Sequence, residues 1–240
     1  MNKLMKAALA ATLVAGTGQA AHADLTFQGA VGLPLNPTAQ IPLEGGARVQ
    51  GSYIDGDGGS FIGLHGATRV SDRFEVNGGV YRLSGGGSTT GFNVGAKALL
   101  TKESDPVGVR IAVGGGYDRI TGFNNPYAYL VGTKAFGVGD RPITGHLGLR
   151  YDRYSGGGFS DNQVSVYAGA EVPVTKTGDF QLVGELQSKN TSFGGTLYSA
   201  SVRYRPEGTA FGGSLGVVGQ SGGGGANVFA QIGYTFNTGR

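Results

Sequence analysis

The sequence predicts an all-β chain that folds as a transmembrane, up-and-down antiparallel β-barrel of about twelve strands. Three observations predict it. Apolar and polar residues alternate with a period of two in segments of about ten residues, the length that a tilted strand needs to cross a membrane. Turn-rich breaks separate these segments and alternate in composition along the chain. Aromatic residues concentrate near both ends of the segments, as in the two interfacial girdles of a membrane barrel.

Twelve alternating segments can be read from the chain. In the clearest, 164–174, Val164, Val166 and Ala168 share one face with Ala170 and Val172, while Ser165 and Glu171 lie on the other. The twelve segments are 47–54, 61–70, 74–83, 92–100, 107–117, 127–136, 143–151, 164–174, 180–189, 196–205, 210–220 and 227–236. Ranges such as 55–60, 85–90, 119–125 and 155–161 form the series of breaks that is richer in Gly, Ser and Asn. These breaks are expected to be the outer loops of the barrel.

The aromatic residues sort into two groups by their position along the segments. With the chain termini in the periplasm, one group lies at the periplasmic strand ends: Phe74, Phe180, Tyr204, Phe211, Tyr234 and Phe236. The other lies at the opposite ends: Tyr53, Tyr117, Tyr127, Tyr151 and Tyr198. A soluble β-sandwich, the main alternative for alternating strands, has no reason to sort aromatic residues by height.

Composition excludes several classes of protein. The chain has 240 residues, 48 of them Gly, and no Cys, which excludes disulfide frameworks, thiolate metal sites and cysteine nucleophiles. Its 11 Tyr and 12 Phe give more apolar surface than a disordered Gly-rich tract carries. The net charge is +3, and loss of Lys3 and Lys6 with an export signal would remove most of it. A nearly neutral chain offers no electrostatic argument for a nucleic-acid partner.

The first residues have the layout of a cleaved secretory signal peptide. Two lysines precede the apolar stretch 7–15, and Ala21-His22-Ala23 supplies a small-residue cleavage site. We therefore expect residues 1–23 to be removed, 24–45 to form an N-terminal periplasmic or lumenal segment, 46–236 to form the barrel and 237–240 to be a short tail. Pro34, Pro37 and Pro42 disfavour a strand in the N-terminal segment.

Charged side chains are expected to face the lumen, because a charge at the lipid-facing midplane costs about 2–4 kcal/mol. Alternation assigns to the lumen lining Arg48, Arg69, Glu75, Lys97, Arg110, Lys134, Arg150, Glu171, Glu185 and Arg203, and further places Asp152, Lys189 and Arg205 inward. Arg82 is the exception, on the outward face near an extracellular strand end. The inward excess of positive charge predicts either a weakly anion-favouring path or a set of salt bridges that holds a closed barrel rigid.

The sequence favours a protein that is not an enzyme, with no catalytic residues, metal site or cofactor. Outside the leader the histidines are His65 and His146, and no G-x-S-x-G motif occurs. We expect His146 to be a hydrogen-bonded lumenal residue rather than part of a triad.

The closing segment 229–236, FAQIGYTF, resembles the C-terminal strand signal of bacterial outer-membrane β-barrels. That resemblance implies an outer-membrane location and contact with outer-membrane lipid and with the barrel-assembly machinery. Together with the inward positive charges it leads us to expect a porin-like passive channel for small solutes, with a weak preference for anions. A second segment, 35–42, is similar to the Pro-Thr-Ala opening of YjbH-like barrels, which implies a surface-polysaccharide partner. The alternatives are a non-conducting structural or exopolysaccharide-associated barrel and a secreted soluble sandwich or adhesin.

Overall fold

A computed structural model of the chain describes residues 24–42, 46–137, 142–189, 191, 194–206 and 209–237. The expected signal peptide and all but the first residue of the expected tail lie outside the described residues. The strands are β1 (Gly46–Gly56), β2 (Gly59–Ser71), β3 (Phe74–Ser84), β4 (Ser88–Thr101), β5 (Arg110–Ile120), β6 (Phe123–Phe136), β7 (Ile143–Gly156), β8 (Phe159–Pro173), β9 (Phe180–Gln187), β10 (Leu197–Tyr204), β11 (Phe211–Gln220) and β12 (Gly223–Asn237).

The strands form one closed antiparallel barrel. Each strand pairs with its neighbours in sequence, and β12 returns to pair with β1, with Gly46 opposite Asn237. The predicted barrel and its twelve strands are confirmed, and the closed single sheet differs from the two stacked sheets of a sandwich. We call the end at which β1 begins and β12 ends the terminal end, and the opposite end the far end.

The two faces of the barrel differ in polarity. Large apolar side chains point outward and are exposed, including Leu147, Val164 and Leu186, each about 60% exposed. Inward positions on the same strands are buried and mostly polar, among them His146, Ser165 and Glu185. This inversion of a soluble protein's pattern is the arrangement of a barrel that is solvated by lipid outside and is polar inside. None of the described residues forms a helix long and apolar enough to cross a membrane.

The far-end connections are tighter than predicted. The breaks at 55–60, 119–125 and 155–161 were expected as loops, but the strands continue through them and turn in two residues. Gly122 and Gly157 have positive φ values of 84° and 59°, which only glycine adopts without strain. Strand pairing therefore extends into the Gly-rich segments. The exception is the connection between β9 and β10, which spans 188–196.

The outward aromatic residues include Phe74, Phe180 and Tyr204 near the terminal end, where the rings of Phe180 and Tyr204 lie 4.6 Å apart. Tyr53 and Tyr151 lie outward near the far end. The prediction for Tyr127 is wrong, because this side chain points inward and is 5% exposed. Its ring is covered by the Arg150 guanidinium, 4.5 Å from the ring centroid, and this cation–π contact stabilises an aromatic ring in a polar interior.

Candidate functional site

Residues 24–42, which we call the plug segment, lie inside the barrel. None of these residues is exposed. The segment is folded on itself by its own backbone hydrogen bonds: Phe27 N–H donates to Pro34 O, and Thr38 N–H donates to Val31 O. Its three prolines and its tight turns prevent it from adding a strand to the sheet. Side chains of the wall therefore have to satisfy the remaining polar groups of the segment.

The first residue of the plug segment is held by three arginines near the terminal end. Asp24 Oδ1 lies 2.7 Å from Arg48 Nη2, and Asp24 Oδ2 pairs with Arg203 Nε and, at 3.1 Å, with Arg205 Nη2. Burial by itself raises the pKa of the Asp24 carboxyl, but the guanidiniums of Arg205, Arg203 and Arg48 outweigh burial and hold this pKa well below its usual range. Glu171 pairs with Arg203 Nη1 at 2.9 Å and supplies a second negative charge.

The middle of the plug segment is held by Glu75 and Lys97, a fully buried ion pair 2.9 Å apart. Val31 N–H donates to Glu75 Oε1 at 3.1 Å, and Lys97 Nζ donates to Val31 O at 3.0 Å. One ion pair of the wall thus satisfies both backbone groups of a single plug residue. Gln50 does the same for Leu25, accepting from its N–H at 3.1 Å and donating to its carbonyl at 2.7 Å.

Glu185, on β9, holds the turn of the plug segment. The backbone N–H groups of Leu35 and Asn36 donate to its two carboxylate oxygens at 2.6 and 3.1 Å. Asn36 Nδ2 and the Ser199 hydroxyl also donate to it, at 3.1 and 2.8 Å. A carboxylate that accepts four hydrogen bonds in a buried site keeps the groups around it in one arrangement.

The last part of the plug segment is joined to the first through the wall. Ala39 N–H donates to Thr133 Oγ1 at 2.9 Å, and the same hydroxyl lies 2.9 Å from His146 Nδ1. His146 Nε2 lies 3.7 Å from Glu171, the residue that pairs with Arg203, one of the three arginines around Asp24. His146 is therefore part of the network that holds the plug segment. Among the described residues, no group of three His, Cys, Asp or Glu side chains is placed to hold a metal ion.

Toward the far end the plug segment contacts the wall mainly through two side chains. The Phe27 ring packs edge-on against Phe61 and Phe229, with centroids 5.9 and 5.4 Å away. Gln28 Nε2 donates to Asp118 Oδ2 at 3.3 Å.

The wall around the plug segment is shielded from water on every side. Each of the twelve strands contributes at least one inward side chain that is buried. From β1 to β12 these are Gln50, His65, Glu75, Lys97, Ala112, Val131, His146, Tyr167, Val183, Arg203, Ser214 and Gln231. The described state is thus one in which the plug segment fills the cross-section that a solute would have to pass.

The structure places the predicted lumen-lining residues in three groups. The first group is buried inside the barrel: Arg48, Glu75, Lys97, Arg150, Glu171, Glu185 and Arg203. All of these except Arg150 touch the plug segment or a wall residue that touches it; Arg150 pairs with Asp152 instead, at 2.8 Å. The second group, Arg69 and Arg110, lies half-buried at the terminal rim, where Arg110 pairs with Glu103 at 2.9 Å.

Lys134 alone makes up the third group, and the prediction that it lines the lumen is wrong. It is exposed on the outward face of β6, which it shares with Leu130 and Phe136 near the terminal end. The alternation of β6 was interpreted in the wrong phase because Tyr127 and Tyr129, which point inward, resemble the lipid-facing residues of other strands. At a strand end the long side chain of Lys134 can reach the headgroup region, which makes this placement tolerable.

The balance of positive and negative charges inside the barrel also differs from the prediction. Among the described residues, the buried cations are Arg48, Lys97, Arg150, Arg203 and Arg205, and the buried carboxylates are Asp24, Glu75, Asp152, Asp161, Glu171 and Glu185. The predicted positive excess is absent from this set. Lys134 and Lys189 are exposed, Arg69 and Arg110 are only half-buried, and Asp24 and Asp161 add negative charge.

Sequence reasoning missed Asp24, Thr133 and Tyr167 as contact residues. Tyr167 donates from its hydroxyl to Pro37 O at 3.0 Å. All three are common residue types without a local motif. Thr133 and Tyr167 contact plug residues 94 and 130 positions away in the chain, and Asp24 joins Arg48 on β1 to Arg203 and Arg205. The sequence offered one signal for Tyr167: it is an aromatic residue on β8 whose neighbours on the same face are polar or glycine.

Comparison with solved structures relates this barrel to porins. The KdgM porin has a TM-score of 0.59 at 18% identity, over 79% of this chain and 98% of that chain. The same porin in complex with disordered oligogalacturonate has a TM-score of 0.60 at 17% identity over the same shares. The NanC porin has a TM-score of 0.56 at 12% identity, again over 79% of this chain and 98% of that chain. No family model and no curated protein matches the sequence. The chain thus has the porin-like fold of outer-membrane β-barrels.

Proposed function

We propose that this chain is an outer-membrane, porin-like channel that the plug segment closes in its resting state. The porin-like fold and the apolar outer face support the location, and the polar inner wall supports an aqueous path once the plug segment leaves. The observation that carries the proposal is the chemistry of the contact: charged and amide groups of the wall, such as Glu185 and Lys97, hold the backbone of the plug segment.

Polar contacts of this kind are exchangeable. A hydrogen bond between plug and wall is replaced by hydrogen bonds to water when the lumen fills, so its net contribution is modest, about 1.5–3 kcal/mol where one partner is charged. The chain joins the plug segment to β1 at the terminal end, where Asp24 is also bound. Movement toward that end therefore leaves every strand pair of the wall intact.

For the open state we propose weak selectivity. Without Asp24, the buried cations and carboxylates of the described wall are equal in number. Around the Asp24 site, Arg48, Arg203 and Arg205 face Glu171, and an anion preference would arise there. Size-limited diffusion with a slight preference for small anions is the expected behaviour.

The second candidate is a non-conducting structural or polysaccharide-associated barrel. The buried wall favours it, because a permanent plug would give the same described state. The resemblance to YjbH-like barrels stays a prediction, as do the barrel-assembly machinery and surface polysaccharide as partners.

Planar-bilayer conductance separates the two candidates. The refolded chain from residue 24 onward is compared with the same chain lacking residues 24–42, and heat-modifiable migration on gels verifies that both are folded barrels. A channel predicts rare openings for the first protein and frequent discrete steps for the second. A folded barrel that shows no steps in either form would reject the channel.

A further inference from the structure

The outward face of the far end carries an arginine row that the plug and the lumen do not use. It consists of Arg82 on β3, Arg119 on β5 and Arg153 on β7, all exposed. Each lies within three residues of the far end of its strand. Neighbouring strands are about 4.8 Å apart, and Arg82 and Arg119 pair with Thr90 and Phe92, two positions apart on β4, so their backbones are spaced by roughly 12 Å. We refer to these three residues as the arginine row.

The arginine row lies at the height of lipid headgroups. Two positions before Arg119 and Arg153 on the same faces are Tyr117 and Tyr151, and Phe92 pairs directly with Arg119. The rings of Phe92 and Tyr117 lie 6.3 Å apart. Aromatic residues on the outer face of a membrane barrel mark the boundary of the hydrocarbon layer. Side chains beyond them point into the polar headgroups.

Charge is sorted between the two faces at this end. The carboxylates of the neighbouring strand positions, Asp118 and Asp152, face inward and are engaged there with Tyr81 and Arg150. None of the three guanidiniums of the arginine row forms an ion pair with any part of the chain that the structure describes. The outer rim over β3–β7 is therefore a cationic surface with no internal counter-charge.

Neutral hydrogen-bonding residues accompany each arginine. Thr90 pairs with Arg82, Asn124 with Arg119 and Asn162 with Arg153 on the adjacent strand, all on the same outward face. The Asn124 and Asn162 carbonyl oxygens accept from the Tyr117 and Tyr151 hydroxyls at 2.5 and 3.1 Å, which leaves their amide N–H groups to donate. Such donors beside a guanidinium suit phosphate oxygens and sugar hydroxyls.

We infer that the arginine row binds the phosphate groups of a phosphorylated glycolipid in the outer leaflet. With the chain termini in the periplasm, the far end faces the cell exterior. Three cations with backbones roughly 12 Å apart match a large headgroup with more than one phosphate better than a single small headgroup. The interaction is independent of whether the lumen conducts.

The test measures binding of diphosphoryl lipid A to the full chain from residue 24 onward in neutral detergent, by native mass spectrometry. The triple variant R82Q/R119Q/R153Q is compared with R69Q/K134Q/K176Q, which removes the same charge at the terminal end. Each arginine is expected to contribute about fivefold, so the first variant should bind about 100-fold more weakly than the natural sequence. The second should bind within about twofold of it.

Two results would overturn the inference. One is equal loss of lipid A binding in the two triple variants while both migrate as folded, heat-modifiable barrels. The other is arginine-dependent binding of phosphatidylglycerol as tight as that of lipid A, which would assign the row to ordinary anionic phospholipid. Weaker binding of monophosphoryl than of diphosphoryl lipid A supports contact with both phosphates.

Discussion

Asp24 Oδ1 lies 2.7 Å from Nη2 of Arg48, inside the barrel and with both side chains 2% exposed. This pair joins the start of the plug segment to the first strand of the wall. Because Arg203 and Arg205 share the same carboxylate, one negative charge compensates parts of three buried cations. A buried carboxylate with three partners is an anchor whose loss cannot be compensated locally.

Replacing Asp24 with Asn should release the plug segment. The variant leaves Arg48, Arg203 and Arg205 without their shared counter-ion, and loss of one partner of a buried ion pair costs about 3–5 kcal/mol. Hydrogen exchange of the Val31 and Leu35 amides, whose acceptors are Glu75 and Glu185, should accelerate strongly. Asp55→Asn, at an exposed outward position, is the control and should leave exchange unchanged. Unchanged protection in Asp24→Asn would show that the arginine contacts do not hold the segment.

Glu185→Gln should loosen the turn of the plug segment without opening its first part. A glutamine offers one acceptor oxygen instead of two, so some of the four donors around Glu185 lose their partner, at about 1–3 kcal/mol for each buried group. Faster exchange is expected at Leu35 and Asn36, with little change at Val31. Glu103→Gln, which removes a carboxylate that pairs with Arg110 at the rim, should affect neither. Equal acceleration of exchange along the whole plug segment would contradict separate anchoring of the turn by Glu185 and of the first part by other wall residues.

Leu149→Lys should destabilise the barrel in lipid. Leu149 is outward, 49% exposed and near the middle of β7, where a lysine on the lipid face costs about 2–4 kcal/mol. Val107→Lys, in the connection between β4 and β5, should cost less than about 1 kcal/mol. Equilibrium unfolding in guanidinium of protein refolded into lipid vesicles measures both. Equal costs would mean that Leu149 is not in contact with hydrocarbon.

Lys134→Leu removes a charge from the outward face, whereas Leu149→Lys adds one, and it tests whether Lys134 faces lipid rather than the lumen. On the outward face, removal of the charge should leave stability in the same vesicles unchanged or raise it by up to about 1 kcal/mol. Thr133→Leu, one residue earlier and inward, should lower stability because it removes the acceptor of Ala39 N–H and the partner of His146. The reverse order would restore the lumenal assignment of Lys134.

The strands were predictable from sequence because their residues alternate between an apolar, lipid-facing side and a mostly polar, inward side. On β8, Val164 and Val166 face lipid while Ser165 and Tyr167 face the interior, and no distant information is needed to see the alternation. For β6 the predicted facing was wrong, because Tyr127 and Tyr129 occupy inward positions where other strands carry polar residues. The prediction of loops around Gly122 and Gly157 was wrong, because composition does not distinguish a long loop from a tight glycine turn.

The plug contacts were not predictable for a different reason. The prolines predicted that residues 24–45 make a poor strand, but two locations remained open, the periplasm and the lumen. Choosing between them requires knowing that Glu185, Glu75 and Thr133 reach the same volume, and this follows only from barrel closure and register. The predicted charge balance of the lumen was wrong in part for the same reason, because Asp24 belongs to the plug segment.

A reversible tether tests most directly whether the plug segment closes the lumen. Ala39→Cys and Thr133→Cys introduce two thiols into a chain that has no cysteine. The hydrogen bond from Ala39 N–H to Thr133 Oγ1 keeps these positions roughly within the 4.4–6.8 Å Cα separation that a disulfide spans. Single-channel recording of the double variant should show no steps when it is oxidised and discrete steps after reduction, while neither single variant responds to reductant. Equally frequent discrete steps in the oxidised and the reduced double variant would contradict a lumen closed by residues 24–42.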